Sequence, residues 1–152
     1  MPAGYRLDEA RLGDVFAIHR LEHAAFPLDA YGPMSVALVL LWPGNVNLKA
    51  MDESGQLAGY VAGSPRLLLG RAWIVTLAVA SAHRRRGLGS ALLAACEQRL
   101  RPRTVWLTVR AGNAAAIALY EQAGYRRVRV IPRYYRGGAD GIVMEKVRPD
   151  RT

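Results

Sequence analysis

The sequence predicts one α/β domain, a mixed sheet with helices on both faces, in the order βααβββαβαββ. Three observations predict it. Short β-branched runs alternate with stretches whose apolar residues recur at helical spacing. Gly and Pro punctuate nearly every change of pattern. The 152 residues carry no repeat, low-complexity stretch or linker, so a single domain is expected over 1–152.

Tyr5-Arg6-Leu7 reads as a short first strand. From Arg11 to Phe26 the residues Leu12, Val15, Phe16, Ile18, Leu21 and Phe26 fit a helical period that Pro27 ends, and a second helix covers Met34 to Trp42. Asn47–Met51 and Leu57–Ala62 form a hairpin through Asp52-Glu53-Ser54-Gly55. Ala72–Val79 carries large and β-branched apolar residues at successive positions, so it is expected to be a central strand buried on both faces. A helix over Ser90–Leu100, with Leu92, Leu93, Cys96 and Leu100 on one side, stops at Pro102. Strand Thr104–Val109 and an alanine-rich helix, Ala114–Gln122, follow, with Gly124 as its C-terminal cap. Tyr125–Ile131 and Gly141–Val147 pair around the loop Pro132–Gly138.

Composition excludes several classes. With 51% hydrophobic residues and 22% charged, the chain is globular rather than disordered. A lone cysteine, Cys96, forms no internal disulfide. The first six residues lack the apolar core of a signal peptide, and the longest apolar run, Val36–Trp42, falls far short of the roughly 20 residues that span a bilayer. A cytoplasmic protein without membrane contact is expected. His19, His23 and His83 have no partners at zinc spacing, so no metal is expected. The net charge is +9, but residues 1–83 hold six cations and seven anions, whereas residues 84–152 hold fifteen and five. A polyanion is expected to meet the C-terminal half.

The most informative segment is Ala80-Ser81-Ala82-His83-Arg84-Arg85-Arg86-Gly87-Leu88-Gly89, between the central strand and its helix. Two glycines one residue apart let backbone approach a ligand closely. Free N–H groups and the helix dipole favour an anion, and three arginines supply countercharge. A dinucleotide-binding turn is disfavoured because the third glycine position is Leu92, and a P-loop because no Gly-Lys-Ser/Thr follows. A merely solvated charge run does not explain why the arginines lead straight into a glycine-rich helix start.

Arg84-Arg85-Arg86-Gly87-Leu88-Gly89 matches the R-x-x-G-x-G acetyl-CoA signature, and on it the chain resembles the GNAT N-acetyltransferase superfamily. Val109 through Tyr125, Glu22 through Phe26-Pro27, and Tyr134-Tyr135 before Ala139-Asp140-Gly141 resemble the RimI-like protein N-terminal acetyltransferases. The resemblance covers nearly the whole chain. It implies a mostly antiparallel sheet with a splay between the fourth and fifth strands. It also implies direct attack of an amine on acetyl-CoA in a ternary complex. Leu77, Ala78 and Val79 are then expected to pair with the pantetheine arm, and Arg84, Arg85, Arg86, Gly87, Leu88, Gly89 and Ser90 to hold the pyrophosphate. Asn113 has two readings, helix N-cap and pantetheine contact, which are compatible. Tyr120 is the expected general acid: a phenol of pKa about 10 hydrogen-bonds or protonates a thiolate without ionising itself at neutral pH.

One departure concerns the base. RimI-like enzymes carry a glutamate in L-E-V-R, where this chain has Leu107-Thr108-Val109-Arg110. Among the substitutes Glu22, His19, His23 and His83, Glu22 is favoured, because the first helix and its following loop border the acceptor site in this family. A weak base favours a weakly basic amine. At pH 7 about a tenth of an α-amine is neutral, against under about one in a thousand lysine side chains. The expected acceptor is therefore the N-terminal α-amine of a protein or peptide, with Phe26, Pro27, Tyr134 and Tyr135 binding it. A small-molecule amine such as a polyamine, a non-catalytic acyl-CoA-binding module, and nucleic-acid binding are the competing readings. No recognition-helix or RNA-stacking motif supports the last. Arg126, Arg127, Arg129, Arg133 and Arg136 are left to attract an acidic protein surface, in a monomer or homodimer.

Overall fold

The computed structural model describes residues 1–149; residues 150–152 of the expected domain lie outside the described residues. Two compact units divide it, one of Met1–Ser64 with Val75–Leu100, the other of Pro65–Ile74 with the residues from 101 onward. The element order is the expected βααβββαβαββ.

The first unit holds β1 (Arg6–Glu9), α1 (Val15–Ala25), α2 (Pro33–Leu41), β2 (Val46–Met51), β3 (Leu57–Arg66, to Ser64), the end of β4 (Arg71–Val79) and α3 (Leu88–Arg99). The first helix is shorter than its apolar period, because Leu12–Asp14 is a 3-10 turn in which the Asp14 carboxylate accepts from the Arg11 N–H at 2.8 Å. Pro33 starts α2 at a position where its missing N–H costs nothing. β1–β2 and β2–β3 run antiparallel, in the order β1-β2-β3-β4. The β2–β3 turn is held by Asp52, whose Oδ1 accepts from the N–H groups of Ser54 and Gln56 and from the Ser54 hydroxyl.

The strand buried on both faces is β3, and the expectation for Ala72–Val79 is corrected. Ala58 through Ser64 are all buried, whereas in β4 only Ala72, Ile74 and Ala78 are. Small residues explain the difference. A Cβ at Gly59 would stand 2.7 Å from Leu92 Cδ1, and at Gly63 2.8 Å from Cys96 Sγ, so the glycines admit α3 against one face. The alternating residues Tyr60 and Ala62 join Ile18, Leu21 and Val36 of α1 and α2 in one cluster. Helices thus cover both faces of β3, as expected. Leu88, Leu92 and Leu93 of α3 are fully buried, each worth about 1.5–3 kcal/mol relative to exposure.

The second unit holds the start of β4, β5 (Thr104–Arg110), α4 (Ala114–Gln122), β6 (Arg126–Ile131) and β7 (Gly141–Val147), in the order β4-β5-β7-β6. β5–β7 and β6–β7 are antiparallel. β4–β5 is parallel and its ladder has three pairs, Arg71–Thr104 to Trp73–Trp106. α4 is bounded as its sequence predicts. Asn113 Oδ1 accepts from the Ala116 N–H at 3.2 Å, and Gly124, at φ +100°, closes a Schellman motif with Gly124 N–H on Glu121 O and Tyr125 N–H on Tyr120 O.

Candidate active site

The segment between β4 and α3, where the sequence predicts an anion seat, has an open backbone turn ahead of the helix. Arg85 and Gly87 have left-handed backbone, at φ +61° and +78°. Arg85 holds this conformation at a cost of roughly 1–3 kcal/mol, and such residues turn successive N–H groups toward one concave side. Gly87 is the N-cap of α3, and no side chain caps the helix. Its first internal bond runs from Ala91 N–H to Gly87 O at 3.1 Å, so the N–H groups of Leu88, Gly89 and Ser90 stand ahead of the ladder. A Cβ placed on Gly87 meets nothing within 4 Å. Exposed guanidinium groups at 84–86 add positive charge beside it. Open backbone donors, a helix dipole and three cations fit a pyrophosphate. Leu88 and Gly89 are buried, so they offer backbone rather than side chain, whereas Ser90 is exposed. The Val79 oxygen already accepts from Arg84 Nε at 3.3 Å.

Glu22 lies on the buried face of α1 with 3% of its surface exposed. Burial raises its carboxyl from the usual carboxylate range to about 7. No hydrogen bond reaches that carboxylate among the described residues. Burial and then the Glu22 charge push the Tyr60 phenol upward. Tyr60 therefore stays protonated and donates to Asn47 Oδ1 at 2.6 Å. Ala78 of β4 and Phe26 belong to the same packed region, Ala78 within its cluster and Phe26 against it, while Pro27 is exposed. The histidines are placed differently. His19 and His23 stack on each other with centroids 5.8 Å apart. His83 is engaged by Tyr5 and Asp52.

In the second unit Tyr120 lies on the buried side of α4, 8% exposed. Burial raises its phenol to about 12, and its ring meets Tyr125 edge-on at 5.8 Å. No hydrogen bond engages its hydroxyl among the described residues. Asn113 starts the same helix, where its carbonyl oxygen is committed as the cap and its NH₂ group is not. Tyr134 and Tyr135 form an edge-on pair at 4.9 Å in the loop between β6 and β7. Tyr135 is anchored: its hydroxyl donates to the Thr108 oxygen at 3.0 Å, and Arg110 lies 5.4 Å from its ring centroid. Tyr134 is 53% exposed.

Leu77 to Val79, Arg84 to Ser90 and Glu22 thus fall in the first unit with Phe26 and Pro27. Asn113, Tyr120, Tyr134 and Tyr135 fall in the second. Sequence reasoning missed Tyr5, Asn47, Tyr60 and Arg110, and read Asp52 only as part of a turn. The contacts Tyr5–His83, Asn47–Tyr60, Asp52–His83 and Arg110–Tyr135 join residues far apart in sequence, which no local pattern marks. Among the described residues no group of three or more His, Cys, Asp or Glu could hold a metal ion, and no helix is long and apolar enough to cross a membrane.

Comparison with known proteins identifies the family. Residues 15–125 match the Acetyltransferase (GNAT) family. An N-alpha-acetyltransferase of Sulfurisphaera tokodaii is 30% identical, over 92% of this chain and 91% of that protein. The N-alpha-acetyltransferase RimI of Mycobacterium tuberculosis is 37% identical, over 78% and 76%. The crystal structure of the ribosomal-protein-S18-alanine N-acetyltransferase from Escherichia coli superposes with a TM-score of 0.83 at 28% identity, covering 97% of this chain and 96% of that one. The chain belongs to the GNAT acetyltransferase family. It is an acetyl-CoA-dependent N-acetyltransferase of RimI-like type.

Proposed function

We propose that this enzyme acetylates the N-terminal α-amine of a protein or peptide in the cytoplasm, as one domain over 1–152. The observation that carries the reading is Glu22, a buried carboxyl titrating at about 7. General-base efficiency is best when the base titrates near the working pH. An α-ammonium of pKa about 8 gives its proton to such a base readily, and a lysine side chain at about 10.4 does so far less. The names of the relatives, two N-alpha-acetyltransferases and a ribosomal-protein-alanine N-acetyltransferase, support the same acceptor.

Acetyl-CoA supplies the acetyl group and carries away the thiolate. The backbone of Arg84 to Ser90 holds the pyrophosphate, and that of Leu77 to Val79 aligns the pantetheine arm, with the Asn113 amide a further contact. Glu22 accepts the proton that the attacking amine loses. Tyr120 keeps its own proton at neutral pH and offers it to the departing sulfur. Phe26, Pro27, Tyr134 and Tyr135 bind the acceptor chain. The exposed arginines of β6 and its loop draw in an acidic protein surface.

Thiol release tests the reading, measured with acetyl-CoA and peptides of varied N-termini beside free lysine and polyamines. Peptide-dependent release is expected. Release with small amines alone would replace the acceptor, and CoA binding without any release would make the chain a binding module.

A further inference from the structure

Beside the phosphate turn, three distant segments meet in a chain of polar contacts that the acetyl-transfer reading does not use. Arg86 Nη1 donates to the Tyr5 hydroxyl at 3.3 Å. That hydroxyl lies 2.7 Å from His83 Nδ1, with the two rings edge-on at 5.4 Å. On its other side, His83 Nε2 faces Asp52 Oδ2 at 3.4 Å. We propose that Tyr5, backed by His83 and Asp52, is a positioning residue that orients Arg86 for the phosphates of acetyl-CoA. The proposal rests on the reading of residues 84–90 as the pyrophosphate seat.

The direction of the chain follows from its far end. Asp52 Oδ1 is saturated by the Ser54 N–H, the Ser54 hydroxyl and the Gln56 N–H. These bonds hold the carboxyl below its usual range, so it is ionised. Its second oxygen faces His83 Nε2 at 3.4 Å. In the tautomer that carries the ring proton on Nε2, toward this carboxylate, Nδ1 is an acceptor. With that tautomer Tyr5 donates its one proton to Nδ1, and its oxygen accepts from the Arg86 guanidinium. In that tautomer Arg86, Tyr5, His83 and Asp52 form a series in which each group donates one hydrogen bond to the next. His83 is also the last residue of the Ser81–His83 3-10 turn, immediately ahead of Arg84. The chain therefore ties the entrance of the seat to the β2–β3 hairpin.

Consequences for binding are specific. A guanidinium has five N–H donors, of which Tyr5 takes one, and the rest serve a phosphate. Fixing one end of a long exposed side chain lowers the ordering cost when an anion binds. Tyr5 acts through Arg86, so its effect must depend on Arg86 being present.

The test is a double-mutant cycle on the full chain, with CoA as the probe in calorimetry and a thermal midpoint taken for each variant. Tyr5→Phe is expected to weaken CoA about threefold to tenfold, and to change it by no more than experimental error when Arg86→Ala is already present. His83→Phe, which removes the acceptor but keeps a ring, should act in the same direction. In turnover the change should fall on KM for acetyl-CoA more than on kcat. Equal weakening with and without Arg86 would overturn the inference, as would unchanged affinity in Tyr5→Phe. Failure of the parent chain to bind CoA would instead overturn the phosphate seat itself, and this inference with it.

Discussion

Tyr135 donates its hydroxyl proton to the main-chain oxygen of Thr108, 3.0 Å away. The β5 position where RimI-like enzymes carry a glutamate thus anchors the tyrosine loop in this chain. Gly141 permits it. A Cβ there would lie 2.9 Å from both Thr108 Cγ2 and Tyr134 Cβ, closer than real contacts allow.

Gly141→Ala should therefore displace the tyrosine pair. Overpacking of this kind costs about 1–3 kcal/mol, read as a lower thermal midpoint. KM for the peptide acceptor is expected to rise while CoA affinity by calorimetry holds.

Glu22→Gln should lower kcat at least about a hundredfold, the usual scale for losing a general base. In the parent enzyme kcat/KM should climb with pH through about 7, as the Glu22 carboxyl ionises. Stability moves the other way. The folded carboxyl binds its proton more tightly than the unfolded one, so stability is fully present below about 4.5 and is lost as pH rises to about 7. The loss is of order 3 kcal/mol. Denaturant titrations at pH 5 and pH 8 should show it in the parent and not in Glu22→Gln.

Tyr120→Phe removes a hydroxyl without altering the ring contact with Tyr125. Turnover should fall at least about tenfold, with CoA affinity changed less than about twofold. Unchanged turnover would make the tyrosine a packing residue.

Gly87→Glu should abolish CoA binding in calorimetry. The space around Gly87 is open, so the loss comes from two other sources. One is the left-handed backbone at φ +78°, which a side chain resists. The other is a carboxylate set at an anion seat.

Much of this was readable in the residues. Asn113 and Gly124 bounded α4 because capping is local chemistry. Arg84 to Gly89 marked the turn and the start of α3, because Gly87 takes the left-handed backbone there. What escaped depended on neighbours far away in sequence. β3 is buried on both faces through Gly59 and Gly63, whose value is the room they leave for α3, and hydrophobic patterning cannot register an absent side chain. Ala72–Val79 showed the stronger apolar run yet is fully covered only at Ala72, Ile74 and Ala78. Glu22 was legible as a candidate, but its raised pKa comes from burial in the packed face of α1. His83 stood among the candidate bases, while its engagement by Tyr5 and Asp52 joins residues 5, 52 and 83, which no window along the chain brings together.

The most direct test of the central claim uses one peptide bearing both a free α-amine and an internal lysine. The peptide is incubated with enzyme and acetyl-CoA at pH 7, and fragment mass spectrometry then locates the acetyl group. A base titrating at about 7 predicts acetylation at the α-amine, lost in Glu22→Gln. Acetyl on the lysine, or on the α-amine at an undiminished rate in Glu22→Gln, would contradict the account.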